Sequence, residues 1–165
     1  MDHVDHLLAQ WARERPELDV RGLRLSARVI RLQRFLDRRT ELVVSHHGLS
    51  IGETNVLAAL RRVGPPHTLT PTELYRELLL SSAAMTHRLD HLEELGHVRR
   101  SRAEQDRRQV RVQLTETGRE TVDAVMDAYT AQLSGMFTVL DEDTHSSLEE
   151  GLRRVLAELE RDESA

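Results

Sequence analysis

Apolar residues recur at helical spacing over most of the chain, and the rhythm changes once. Leu7, Leu8 and Trp11 predict a short helix over residues 2–14, interrupted by Pro16. Leu18-Asp19 leads into a second helix. There Leu25, Val29, Leu32, Leu36 and Val43 form one stripe, while Arg24, Arg28, Arg31, Arg34, Arg38 and Arg39 take other faces. Gly48 marks its end. Ser50 and Glu53 form a capping-box pattern ahead of Val56, Leu57 and Leu60, stopped by Gly64-Pro65-Pro66. Thr70, Pro71 and Glu73 repeat the pattern and predict a short helix to about Leu79. Ser81-Ser82 opens the next, over 82–95, closed by Gly96. The period then falls to two. Val98, and later Val110, Val112 and Leu114, alternate with Arg99, Arg111 and Gln113, which predicts two strands. A polar loop, Arg102–Arg108, joins them. Past Thr115 a long helix carries Val122, Val125, Met126, Tyr129, Leu133 and Phe137. Asp141 caps a last one with Leu148, Leu152, Val155, Leu156 and Leu159. The expected fold is mainly α, an α+β winged helix-turn-helix: a helical region over 1–48 and 116–165 around a lobe, 49–115, that carries a small β-hairpin wing.

Composition narrows the class. At 165 residues with 39% hydrophobic and 31% charged, the chain can bury a core alone and is too polar for a membrane protein. Nothing approaches 18 consecutive apolar residues, and Met1–His6 lacks a basic region followed by an apolar one, so a cytoplasmic protein without membrane association is expected. Cysteine is absent, which removes disulfides, thiolate metal sites and cysteine nucleophiles together. All 23 basic residues are arginine. The net charge of −5 is unevenly spread: residues 99–119 carry a net +4, and 120–165 a net −9. Local field rather than net charge decides whether phosphate is attracted.

Two short helices joined by a tight turn, followed at once by a basic hairpin, are the plan of a DNA-reading lobe whose second helix enters the major groove. On helix 82–95, Met85, Leu89 and Leu92 share an inward face. Ser82, Ala83, Thr86, His87, Asp90 and His91 lie opposite, small and hydrogen-bonding residues suited to base edges. Thr70 at the start of the preceding helix, with Arg102, Arg107 and Arg108 on the wing, suits phosphate or a narrow minor groove. A helical interaction module that uses this fold without binding DNA is the alternative. His87 and His91, four apart, have a spacing that can hold zinc, but no third ligand is close in sequence, so no metal and no cofactor are expected. No phosphate loop, nucleophile elbow or other catalytic constellation is present, so the chain does not read as an enzyme.

The runs Ser81–Glu93 and Leu95-Gly96-His97-Val98-Arg99-Arg100, and Asp106-Arg107-Arg108 through Leu114-Thr115-Glu116-Thr117-Gly118, resemble MarR-type transcriptional regulators over nearly the whole chain. The resemblance implies a homodimer with intertwined terminal helices, reading a pseudo-palindromic operator in double-stranded DNA. It also implies that Asp106 orients a wing arginine. Trp11 through Asp19, on an extra first helix, and the Leu-Leu-Leu-Ser-Ser entry to the recognition helix are similar to the urate-responsive, PecS-like branch. That branch implies repression relieved by a small aromatic or purine-type anion, with Trp11, position 55, Arg88 and Arg100 in the site. Position 55 is Asn55 where the branch has Asp. An amide cannot supply the charge repulsion of the branch's switch, so urate itself is expected to be a poor effector. The residues add one independent argument. Arg88 falls near the inward face, and a guanidinium there needs a partner. Either it seats an anion or it pairs with a carboxylate from a neighbouring helix. Trp11 is either packing for the extra helix or a stacking wall for a ring.

Overall fold

The structure, a computed structural model, describes residues 1–78, 82–102 and 110–163, with the side chains of Ser82 and Ala83 left out. Helices α1 (His3–Glu14), α2 (Arg21–His46), α3 (Ile51–Arg62), α4 (Pro71–Leu78) and α5 (Ser82–Glu94) come first. Strand β1 (Thr68–Leu69) lies between α3 and α4. Strands β2 (Val98–Arg102) and β3 (Val110–Leu114) follow α5, and helices α6 (Glu116–Phe137) and α7 (Glu142–Glu163) end the chain. The sheet has three antiparallel strands in the order β1-β3-β2, with Val98 opposite Leu114 and Arg102 opposite Val110. The third strand, β1, was not foreseen. Two residues are too short to show a period, and they become a strand only because β3 pairs with them, Thr68 opposite Gln113 and Leu69 opposite Val112.

Local chemistry sets the boundaries. Ser50 and Glu53 form the anticipated capping box on α3. Thr70 and Glu73 do the same on α4, the Thr70 N–H donating to Glu73 Oε2 at 2.6 Å and the Glu73 N–H to Thr70 Oγ1 at 3.2 Å. An unforeseen third box starts α1: Asp2 and Asp5 each accept the other's backbone N–H, and Arg28 of α2 then bonds both carboxylates, at 2.9 and 2.6 Å. Helices α2 and α5 end alike. Gly96 sits at φ +75°, its N–H donating to Glu93 O while the His97 N–H donates to Leu92 O, both at 2.9 Å. This left-handed closure satisfies two orphan carbonyls, and glycine enters it without steric cost. It stops α5 at Glu94, one residue short of the expected Leu95.

The chain divides into two compact units, Met1–Val125 and Met126–Ala165. The core of the first is built by α3, α4, α5 and the sheet on the ends of α2 and α6: Leu57, Leu60, Leu74, Leu92 and Val112 are fully buried. Each such leucine contributes roughly 1.5–3 kcal/mol through burial. Arg61 of α3 also bonds Asp123 of α6 at 2.8 Å. The sequence of the α6 start has a steric reason. Thr115 caps the helix, its hydroxyl accepting the Gly118 N–H and donating to Gly96 O. A Cβ on Gly118 would lie 2.0 Å from the His97 carbonyl oxygen, so only glycine lets the α5–β2 turn seat on α6.

Of the α2 stripe, Leu25 is 70% and Val29 49% exposed, while Leu32, Leu36 and Val43 are half-buried; Ile30, Phe35 and Leu42, off the stripe, are also exposed. In the second unit Leu148, Leu152, Val155, Leu156 and Leu159 of α7 are exposed as well. Periodicity reports that a helix has an apolar face, not which chain covers it. Among the described residues no helix is long and apolar enough to cross a membrane.

Candidate nucleic-acid interface and anion seat

Helix α5 is anchored by Met85, Leu89 and Leu92, all buried as expected. Thr86 and His87 stand exposed on its outer surface. Ser82 and Ala83 open its first turn, with their side chains outside the described atoms. Arg102 is exposed at the end of β2. Asp106, Arg107 and Arg108 lie outside the described residues. The Thr70 hydroxyl is engaged in its capping box, donating to Glu73 at 2.8 Å.

His91, expected beside Thr86 and His87 on the outward face, is half-exposed and is also engaged from α3: its Nδ1 lies 2.5 Å from Glu53 Oε1. Glu53 is only 6% exposed. Its Oε2 accepts the Ser50 N–H and hydroxyl, each at 2.8 Å, leaving Oε1 to His91. Burial pushes the Glu53 carboxyl upward, but the donors from Ser50 and His91 outweigh it and hold the pKa below the usual carboxylate value. His97, on the turn after α5, is pushed down by burial, with Glu53 opposing and His91 adding to the effect. No group of three His, Asp or Glu among the described residues is placed to hold a metal ion.

Asp90 is exposed, as expected, and Arg100 of β2 reaches it. Arg100 Nη2 donates to Asp90 Oδ1 at 2.6 Å, its Nε lies 3.5 Å from Glu93 Oε2, and its backbone N–H donates to Glu93 Oε1 at 2.9 Å. Arg100 therefore ties β2 to α5, with two carboxylates already compensating the charge that the resemblance assigned to a ligand.

Arg88 is different. It projects from α5 onto the first turn of α3, so close that a Cβ on Gly52 would lie 2.4 Å from its Nε and Cζ and 2.6 Å from Nη2. Its Nη1 is shielded from solvent and has no hydrogen-bond partner, and no carboxylate among the described residues is within ion-pair distance. The guanidinium lies beside the first turn of α3. Among the described residues Nη1 is thus a shielded donor without an acceptor, which an anion is chemically able to supply. Asn55 is exposed on α3 one turn beyond Gly52, hence on the same side of the helix. Trp11 is 40% exposed on α1, and no recorded contact brings it to Arg88. Arg88 thus lies against Gly52, Asn55 lies one turn further along α3, and Arg100 is occupied elsewhere. Sequence reading missed Gly52. A glycine one residue into a capped helix was the available signal of a close approach.

The sequence model of the MarR family matches residues 47–109. The chain is 33% identical to the HTH-type transcriptional regulator PecS of Dickeya dadantii over 152 residues, 92% of each protein. Among solved structures it is similar to a mutant MarR from E. coli complexed with operator DNA, at TM-score 0.69 and 26% identity over 85% of this chain and 99% of that one. The MarR family regulator AbsC of Streptomyces coelicolor shares the fold at TM-score 0.73 and 22% identity, covering 87% of this chain and 96% of AbsC.

Proposed function

Because the chain belongs to the MarR family of transcriptional regulators, with PecS among its relatives, we propose that it is a repressor that leaves its operator when a small aromatic or purine-type anion binds at Arg88. The single observation that carries the ligand half is the shielded, unpartnered Arg88 Nη1 against the N-terminal turn of α3. The DNA half draws on the exposed Thr86 and His87 of α5 and on the adjoining β2–β3 wing. Arg102, Arg107 and Arg108 would meet phosphate or the minor groove, with Asp106 orienting the wing.

The protein acts as a homodimer in this reading. The apolar faces of α2 and α7 carry exposed leucines, valines and other large apolar side chains that a second copy would cover. Residues 1–48 and 116–165 then form the dimerisation region and 49–115 the DNA lobe. Twofold-related α5 helices would read half-sites about 10 bp apart. An anion drawn to Arg88 pulls directly on α5, so ligand and DNA compete, with a reciprocal coupling of about 1–3 kcal/mol.

The test is a gel shift with the DNA upstream of the protein's own gene, titrated with urate, other purine anions and aromatic carboxylates. Wild type should bind and be released by at least one of them. Arg88→Ala should bind DNA and resist release. If no anion releases wild type, or Arg88→Ala is released equally well, the seat is wrongly assigned. If wild type ignores its upstream DNA, the regulatory reading itself is wrong.

A further inference from the structure

Leu92 is fully buried, so the residues on either side of it in sequence diverge by about 100° to opposite flanks of α5. His91 goes one way, to Glu53 of α3. Glu93 goes the other, to Arg100 of β2. The recognition helix is thus tied on both flanks by charged groups, while its apolar face, which could slide or roll, supplies only the floor. We propose that His91 is a positioning residue: its bond to Glu53 fixes the rotation of α5 about its own axis and thereby which side chains α5 offers to base edges. This rests on the DNA-binding reading above.

The chemistry makes the tie stiff. Glu53 has its carboxylate enclosed, and an ionised carboxylate only accepts, so His91 Nδ1 must donate. Without His91, Oε1 would have no protein donor among the described residues, since the Ser50 groups serve Oε2. The geometry makes the tie consequential. A roll of about 20° moves side-chain tips, ~6 Å from the helix axis, by about 2 Å, which is enough to break a hydrogen bond to a base. Such a roll would shift Thr86 and His87 together, and so blur recognition at several base pairs at once.

The experiment uses the full-length protein and a duplex selected by wild type from a random-sequence pool. His91→Ala should lose about tenfold in affinity for that duplex, the scale of one charge-assisted hydrogen bond. Its base preference should flatten at several positions, while its salt slope stays that of wild type, because no phosphate contact is lost. His91→Asn keeps a donor near the Nδ1 position and should recover most of the affinity. His91→Gln, which places its donor near Nε2, should not, and this pair carries the test if the alanine variant does not fold. A ring N–H proton resonance protected from exchange should be present in wild type and absent in Glu53→Gln, whether or not DNA is bound. Loss of preference at one base pair only, with no rescue by Asn, would make His91 a direct base contact and overturn the proposal. So would wild-type affinity in His91→Ala, or absence of the protected N–H in wild type. If wild type selects no sequence while that resonance is present, the pair stands and the DNA reading falls, taking the positioning role with it.

Discussion

Substituting Gly52 by alanine separates the anion seat from the fold. The new Cβ would start 2.4 Å from Arg88 Nε and Cζ, whereas unstrained carbon contacts lie at about 3.5–4.0 Å, so the guanidinium must withdraw by about 1 Å or more. It is the tip of a long side chain, and moving outward hydrates the Nη1 that now has no partner. Relief of strain should therefore be cheap. Alanine in place of glycine in a helix adds up to about 1 kcal/mol, less in a first turn. For a chain of this size that corresponds to a rise in Tm of about 2 °C. Withdrawal should at the same time remove a charge-assisted contact worth about 1.5–3 kcal/mol to an anion, a loss of at least about tenfold in affinity. Thermal unfolding and calorimetric titration with urate and related purine and aromatic anions read the two effects separately. A fall in Tm of several degrees would show that Arg88 cannot yield. Unchanged affinity for an anion that wild type binds would show that Arg88 does not seat it.

Gly118→Ala should behave oppositely, costing about 3 kcal/mol or more in urea unfolding, because its Cβ meets the rigid His97 carbonyl at 2.0 Å and backbone cannot step aside; a loss below about 1 kcal/mol would refute the close approach. Glu53 is held below its ordinary value of 4.5, so its ionised form stabilises the fold above that pH and the contribution disappears as pH falls through the depressed value. Urea midpoints between neutral pH and about pH 3 should thus fall more steeply for wild type than for Glu53→Gln, and parallel curves would refute the shift. Asn55→Asp should strengthen release of operator by urate by restoring a charge one helical turn from Gly52; equal urate response in gel shifts would remove position 55 from the switch.

Helix starts and stops were legible because capping is local: Ser50–Glu53, Thr70–Glu73, Gly48 and Gly96 act within a few residues of themselves. The inward face of α5 was legible from period alone. His91 and Asp90 were not, because a helical wheel places both outside the apolar arc and says nothing of a carboxylate or guanidinium reaching in from α3 or β2. Arg88 was legible as a cation that needs a partner, but not the answer, which depends on which carboxylates tertiary structure brings near. The resemblance placed Arg88 and Arg100 in one site. The fold gives Arg100 two acids and leaves Arg88 without any among the described residues. Strand β1 had no local signal, since its two residues are extended only because β3 runs beside them.

The tie between Arg100 and the acids of α5 also has a kinetic side. A helix that approaches a polyanion with Asp90 and Glu93 uncompensated would repel it well before contact. Arg100, 2.6 Å from Asp90, removes one of those two negative charges at its source. An opposite-charge pair so close looks like a neutral dipole beyond a Debye length of about 8 Å, so distant DNA senses one acid on this flank of α5 rather than two. The salt bridge thus shapes how fast the protein finds DNA rather than how long it stays. It lets the helix keep two acids as structural anchors while halving the repulsion they add to the approach.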